Sequence, residues 1–300
     1  MRIAFGAALS IVMAFPLFAQ RPALSTGPVD ISGMWNFATL TPLERPPEFA
    51  DKYFLTPTEA AEFEAQRRRV GDQVFGVGPA VDEIWLERGS AAKIHEQHVS
   101  SLITDPANGH MPAPTAEAQA RLGFRAFAMN RSAGPEDRML SERCLRSASG
   151  PPMFPSADAN LVQIVQSATY VAIIVEKFHD ARIIPVDGRP HLRDTLRSYS
   201  GDARGKWEGS TLVIDTLNFS HKIGLTGRFD GNLHLTERFT RTAPDSLLYQ
   251  VTIDDPTAFV TPWSVTIPMR RTTERTYEFA CHEGNYSLPN ILRAARLDQQ

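Results

Sequence analysis

The chain has 300 residues, with 31 basic and 34 acidic side chains, a formal charge of −3 and two cysteines. Scattered basic residues in a slightly acidic whole argue against a nucleic-acid partner, and the length suffices for one large core. Past the first twenty residues, no apolar run approaches the roughly 20 residues needed to cross a bilayer as a helix.

Those first residues read as a secretory leader. Arg2 supplies the basic start, Ile3 to Phe18 is almost wholly apolar, and Leu17-Phe18-Ala19 offers a small residue at the cut. A signal peptide over 1–19, cleaved near Ala19, sends the mature chain to a bacterial periplasm or beyond. No Cys stands near the cut to carry a lipid.

Residues 20–29 are a Pro/Ser/Thr/Gly-rich tail. Val29 to Phe37 predicts a first strand carrying Gly33-Met34-Trp35. From about 41 to 149 the pattern turns helical and irregular. Thr56-Pro57-Thr58-Glu59 is a helix start, with Thr56 as cap, Pro57 in the first turn and Glu59 closing a capping box; this helix should run to about Val70. Thr115 can cap a second helix over 116–122, and Pro135 can open a third that delivers Cys144.

After Pro155 the grammar is that of strands. Leu161–Gln166, Tyr170–Phe178, Arg182–Val186, Thr211–Phe219, Leu233–Thr240, Leu247–Asp254, Trp263–Met269 and Arg275–Cys281 are β-branched or aromatic runs, separated by turn signals such as Asp187-Gly188, Glu208-Gly209 and Ala243-Pro244-Asp245. Short strands at short spacing mean antiparallel hairpins, in a barrel or a sandwich. The fold expected is mainly β, antiparallel and barrel-like, as a single domain over 20–300 with the helical excursion inserted. A short helix from about Pro289 closes the chain.

Cys144 and Cys281 would form a disulfide in an oxidising compartment. Closing a loop of about 140 residues would be worth about 5 kcal/mol by chain entropy. The alternative is a reactive thiol at Cys281, beside His282 and Glu283.

Strand alternation marks the candidate chemistry. Glu237 falls in register with Leu233, Leu235 and Phe239, and Glu176 with Tyr170, Ala172 and Ile174, while Asp255 follows Tyr249, Val251 and Ile253. A carboxylate on an apolar face must be paired or neutral. Glu237 and Glu176 could therefore act as acid and base, with Arg238 steadying negative charge and His282 assisting. An internal salt-bridge network with Arg238, Arg270 or Arg189 is the other reading of the same pattern. His234, Asp255, Trp263 and Arg189 would contact a ligand, and Arg189 and His191 could border a pocket mouth after the Asp187-Gly188 turn. His95-Glu96-Gln97-His98 spaces its histidines i, i+3, whereas the zinc helix motif needs i, i+4. Neither metal nor cofactor is expected. No nucleophile elbow, P-loop or dinucleotide fingerprint is present.

Gly205-Lys206-Trp207-Glu208-Gly209-Ser210-Thr211-Leu212-Val213-Ile214-Asp215-Thr216, His234-Leu235-Thr236-Glu237-Arg238-Phe239, Val251-Thr252-Ile253-Asp254-Asp255-Pro256 and Ala280-Cys281-His282-Glu283-Gly284-Asn285 resemble the signature of a widespread family of secreted bacterial proteins, a likeness that implies no particular activity. Asp30-Ile31-Ser32-Gly33-Met34-Trp35 is similar to the Gly-x-Trp opening of lipocalin-like barrels, in which the Trp plugs one end. That resemblance implies a barrel with an internal cavity. The functions left open are a secreted binder of a small, partly apolar molecule, an extracytoplasmic hydrolase or lyase of a small organic or glycoside-like substrate, and a structural envelope protein.

Overall fold

The computed structural model describes residues 28–74, 87–122, 132–145, 150–220 and 231–297. The expected leader, the expected tail up to residue 27 and the expected Gly76–Pro79 loop lie outside the described residues.

Chain order begins with β1 (Gly33–Asn36). The excursion then supplies β2 (Phe54–Leu55), helix α1 (Pro57–Val74), β3 (Lys93–Ile94), β4 (Gln97–Val99) and β5 (Ile103–Asp105). The second half is β6 (Leu161–Gln166), β7 (Tyr170–Val175), β8 (Ala181–Pro185), β9 (Asp202–Glu208), β10 (Thr211–Leu217), β11 (His234–Ala243), β12 (Ser246–Asp254) and β13 (Trp263–Thr272), closed by helix α2 (Ser287–Leu297). The cap of α1 forms as its sequence predicts: Thr56 Oγ1 accepts from the Glu59 amide at 3.3 Å, and Glu59 Oε2 accepts from the Thr56 amide at 2.8 Å. Thr115 Oγ1 likewise accepts from the Ala118 amide, capping helical residues 116–122.

The large sheet is antiparallel throughout its path, in the order β8-β7-β6-β1-β13-β12-β11-β10-β9, with β5 added beside β13; β2, β4 and β3 form a second, small sheet. This is an up-and-down meander into which β1 is inserted between β6 and β13. Its two end strands meet without a ladder between them among the described residues. A Cβ on Gly205 of β9 would lie 2.7 Å from Val186 Cγ1 and 3.1 Å from Ile184 Cγ2, so glycine is what lets β9 close on the β8 side. Alternate residues of every long strand turn inward and fill the enclosed space: Trp35, Val162, Ile164, Ile173, Ile184, Ile214, Phe239, Tyr249, Val251, Trp263 and Ile267 are all almost wholly buried.

Trp35 is anchored twice. Its indole N–H donates to Ile31 O at 2.9 Å, and the Arg271 guanidinium lies 4.7 Å from its ring centre. Arg271 reaches that position by crossing Gly33, which has φ of +135° and whose Cβ would stand 2.4 Å from Arg271 Nη1. The backbone angle demands glycine there, and any side chain would also displace the end of the crossing arginine.

Three strand expectations need correction. Arg275–Cys281 is not a strand, because the edge of β13 it would join is already occupied by β1. The chain instead runs along the surface to a disulfide between Cys144 and Cys281, 137 residues apart. That bond is consistent with an extracytoplasmic location. β9 is present although its Gly205, Arg204 and Lys206 give a weak strand pattern. In β7 the inward set is Val171, Ile173 and Val175, not Tyr170, Ala172 and Ile174. β7 is apolar on both faces, so only its pairing with Val162 and Ile164 of β6 decides which side is inner. No helix among the described residues is long and apolar enough to cross a membrane.

Gly33→Ala should lower stability by about 1–3 kcal/mol, read as a shifted urea midpoint. Gly33→Ala in an Arg271→Ala background should cost less than in the native protein, because the steric part is then removed while the φ penalty stays.

Candidate functional site

Inside the sheet, Glu237 is fully buried and has a full set of partners. Arg182 Nη1 donates to its Oε1 at 3.0 Å and Nη2 to its Oε2 at 2.5 Å. The Tyr249 hydroxyl donates to Oε1 at 2.9 Å, and the Thr216 hydroxyl approaches Oε2 at 3.5 Å. Tyr249 in turn accepts from the Met153 amide at 3.2 Å. Burial, and then the neighbouring Glu237 charge, push the Tyr249 hydroxyl well above its ordinary range. Burial opposes the Arg182 charge, but the Glu237 carboxylate outweighs it and the guanidinium is held more firmly protonated. The arrangement is a closed polar lock spanning β8, β10, β11 and β12. It matches the salt-bridge reading of the alternation, with Arg182 rather than Arg238, Arg270 or Arg189 as the cation. Arg182 was legible in the sequence, sharing a strand parity with Ile184 and Val186.

The other residues singled out from sequence are dispersed. Glu176 lies past the end of β7 and accepts from the Tyr277 amide at 3.2 Å. Burial, and then nearby Glu87, Asp158 and Glu274, raise its carboxyl despite that hydrogen bond. None of these neighbours is among the partners of Glu237, which is held by Arg182, Tyr249 and Thr216. Arg238 faces outward and donates to Glu208 at 3.1 Å. His282 sits exposed in the turn after Cys281. Asp255 is buried as a turn former, its Oδ1 accepting from the Thr257 amide and hydroxyl at 3.0 and 2.7 Å. Trp263 packs in the core between Phe154 and Phe259. Arg189 is exposed, clamped on Asp187 and donating to the Tyr170 hydroxyl at 2.9 Å.

His234 has a different setting. Along β10, Ile214 and Thr216 turn inward and Asp215 outward; along β11, Leu235 turns inward and His234 outward. The register pairs Asp215 with Thr236 and with Arg204, so His234 and Asp202 both lie on its diagonals, within side-chain reach. His234 Nε2 lies 2.6 Å from Asp215 Oδ1, and His191 Nε2 lies 2.8 Å from Asp215 Oδ2. The His191 ring continues to Asp202, Nδ1 to Oδ2 at 3.0 Å, and Arg204 Nη1 donates to Asp202 Oδ1 at 2.6 Å. The result is a continuous line of charge-assisted hydrogen bonds, His234–Asp215–His191–Asp202–Arg204, across three strands and the β8–β9 connection.

Partial burial works against the Asp215 charge, but hydrogen bonds from His234 and His191, and their positive charge, hold its carboxyl below the ordinary value of 3.8. A carboxylate only accepts, so His234 must present Nε2–H to it, which leaves Nδ1 as the outward nitrogen. That nitrogen has no partner among the described residues, and the His234 side chain is 39% exposed. No group of three or more His, Cys, Asp or Glu side chains among the described residues is arranged to hold a metal ion.

A separate cleft of about 1040 Å³ lies between the outer face of β12 and β13 and the small sheet, lined among others by Arg270, Lys93, His98 and Asn36. The turn at its lip, His95-Glu96, has φ of 48° and 64°, the two-residue hairpin geometry that normally takes Asn or Gly.

No protein-family model and no curated protein matches the chain. Among solved structures, a crystal structure of a mutant of the fluorescent protein UnaG is similar at 15% identity, over 38% of this chain and 72% of that one, with a TM-score of 0.24. A likeness at that score bears on neither site.

Two outcomes are expected. Glu237→Gln leaves Arg182 buried without a counter-charge and should cost about 3–5 kcal/mol in urea unfolding; replacing both, as Arg182→Met with Glu237→Leu, should cost much less. Asp215 has a depressed folded-state value, so its contribution is present above the ordinary 3.8 and is lost as pH falls through the folded value. The stability gap between the native protein and Asp215→Asn should therefore be present above about pH 4 and narrow below it, as followed by thermal melts across pH.

Proposed function

We propose that the protein is an extracytoplasmic enzyme, a hydrolase or lyase of a small organic substrate, with His234 as its general base. The single observation that carries this is the 2.6 Å contact between His234 Nε2 and Asp215 Oδ1. It fixes the ring's tautomer, leaves the Nδ1 lone pair to take a proton, and supplies a carboxylate to stabilise the imidazolium that then forms. Water is the proton donor in a hydrolysis, and an acidic C–H of the substrate in an elimination. The apolar, leader-like sequence over 1–19 and the disulfide support the extracytoplasmic setting. Glu237, Glu176, Arg238 and His282 take no part in this reading.

A second reading, a secreted binder of a small, partly apolar molecule, draws on the cleft. Its volume of about 1040 Å³ is at the upper end of small-molecule sites, and Trp263 and the rest of the enclosed face are already packed together. The ligand would then sit between the two sheets rather than inside the large one.

The deciding assay is turnover of a panel of chromogenic esters and glycosides by the mature protein. His234→Gln should lower kcat by about 10²- to 10⁴-fold with its circular dichroism unchanged. Equal turnover in that variant, or none across the panel with native protein, would count against the enzyme reading and leave the cleft as the site to probe.

A further inference from the structure

The contacts of His191 have a proton requirement that those of His234 lack. Both of its ring nitrogens face carboxylate oxygens, Nδ1 that of Asp202 at 3.0 Å and Nε2 that of Asp215 at 2.8 Å. A neutral imidazole has one N–H, so both contacts hold only in the imidazolium. The two carboxylates come from different strands, β9 and β10, whereas His191 comes from the segment 186–201 that joins β8 to β9 across the unpaired seam of the sheet. Next to the ring, that segment is also tied down by Leu192 N–H to Asp202 Oδ2, Arg204 Nε to Pro190 O and Asn218 Nδ2 to Leu192 O.

We infer that His191 is a positioning residue that shares Asp215 with His234, and that losing one ring proton from His191 transfers Asp215 to His234 alone. This deepens the proposed function and rests on His234 being the base. The proton leaves Nε2 rather than Nδ1, for a reason of solvation. A bare Nδ1 would set its lone pair against Asp202 Oδ2 at 3.0 Å, beside a side chain only 10% exposed. A bare Nε2 faces Asp215, which is 41% exposed and can take water in place of the lost donor. Neutral His191 therefore keeps Nδ1–H on Asp202, and the segment stays docked. The groups facing the His191 ring are Asp202 and Arg204 from β9 and Asp215 from β10; His234 from β11 follows through Asp215, with Asp254 of β12 paired opposite it. With the imidazolium gone, Asp215 has one imidazole donor in place of two. The two rings thus share one carboxylate, and a proton lost at His191 changes what Asp215 offers to His234.

The test is a pH titration of the native protein with ¹⁵N-labelled histidine, followed by ring NMR, which needs no substrate. His234 should trace two inflections, one for its own proton and one for that of His191, and neutral His191 should show the Nδ1–H tautomer. In His191→Gln, His234 should trace a single inflection. A single inflection at His234 in the native protein, two persisting in His191→Gln, or an Nε2–H tautomer at His191 would overturn the inference. The native titration decides the matter even where His191→Gln does not fold. Loss of turnover in His234→Gln tests the base separately, so coupled rings without turnover would sink the enzyme reading and leave the coupling standing.

Discussion

The rest of the structure depends on the buried ion pair between Arg182 and Glu237. The two residues belong to strands that are far apart in the hydrogen-bonded order, one in the end strand β8 and one in β11, the third strand from the other end. Their bidentate contact crosses the enclosed space and requires the sheet to curl until β8 faces β11. Tyr249 and Thr216 give each carboxylate oxygen a second donor beside Arg182. A buried pair of this kind adds little net stability over a well-packed apolar core, but breaking one half of it is costly. What it supplies is geometry. It fixes how far the meander must close and thereby brings β9 against the β8 side without a ladder between them.

Closure of this kind has a consequence for the outer surface. Because the inward positions of β10 and β11 are committed to Ile214, Thr216, Leu235 and Glu237, the outward positions of the same strands carry Asp215 and His234 on neighbouring diagonals. The unpaired seam between β8 and β9 leaves a connection long enough to fold back over β9 and β10, and that connection delivers His191. The polar lock and the histidine line are thus two faces of one register. A one-residue slip would exchange them and place Asp215 in the core.

Much of the candidate site was visible in the sequence but distributed among separate signals. His234 was marked by its parity opposite Leu235, and His191 by the Asp187-Gly188-Arg189-Pro190-His191 turn. Asp215 stood in an otherwise apolar strand. What the sequence lacked was any means of joining them, since His191 and His234 are 43 residues apart and their meeting depends on which strands pair. Glu237 and Glu176 had the same appearance in one dimension, a carboxylate in a hydrophobic strand. Only the pairing of β7 with β6 separated them, sending one to the core and the other to the end of a strand near Tyr277.

By itself, the sequence determined most of the strands after Pro155, the capping of α1, the partnership of Cys144 with Cys281 as its favoured option, and the alternation that buries Glu237. All of these are local or combinatorial: a period of two, a capping box, a single available cysteine partner. The tertiary structure decided the rest. It chose Arg182 as the counter-ion, put β1 where a final strand was expected, selected the inner face of β7, and assembled His234, Asp215, His191 and Asp202 into one line. These outcomes depend on long-range register and on the angle at which a curled sheet closes, and neither is encoded within the reach of any single strand.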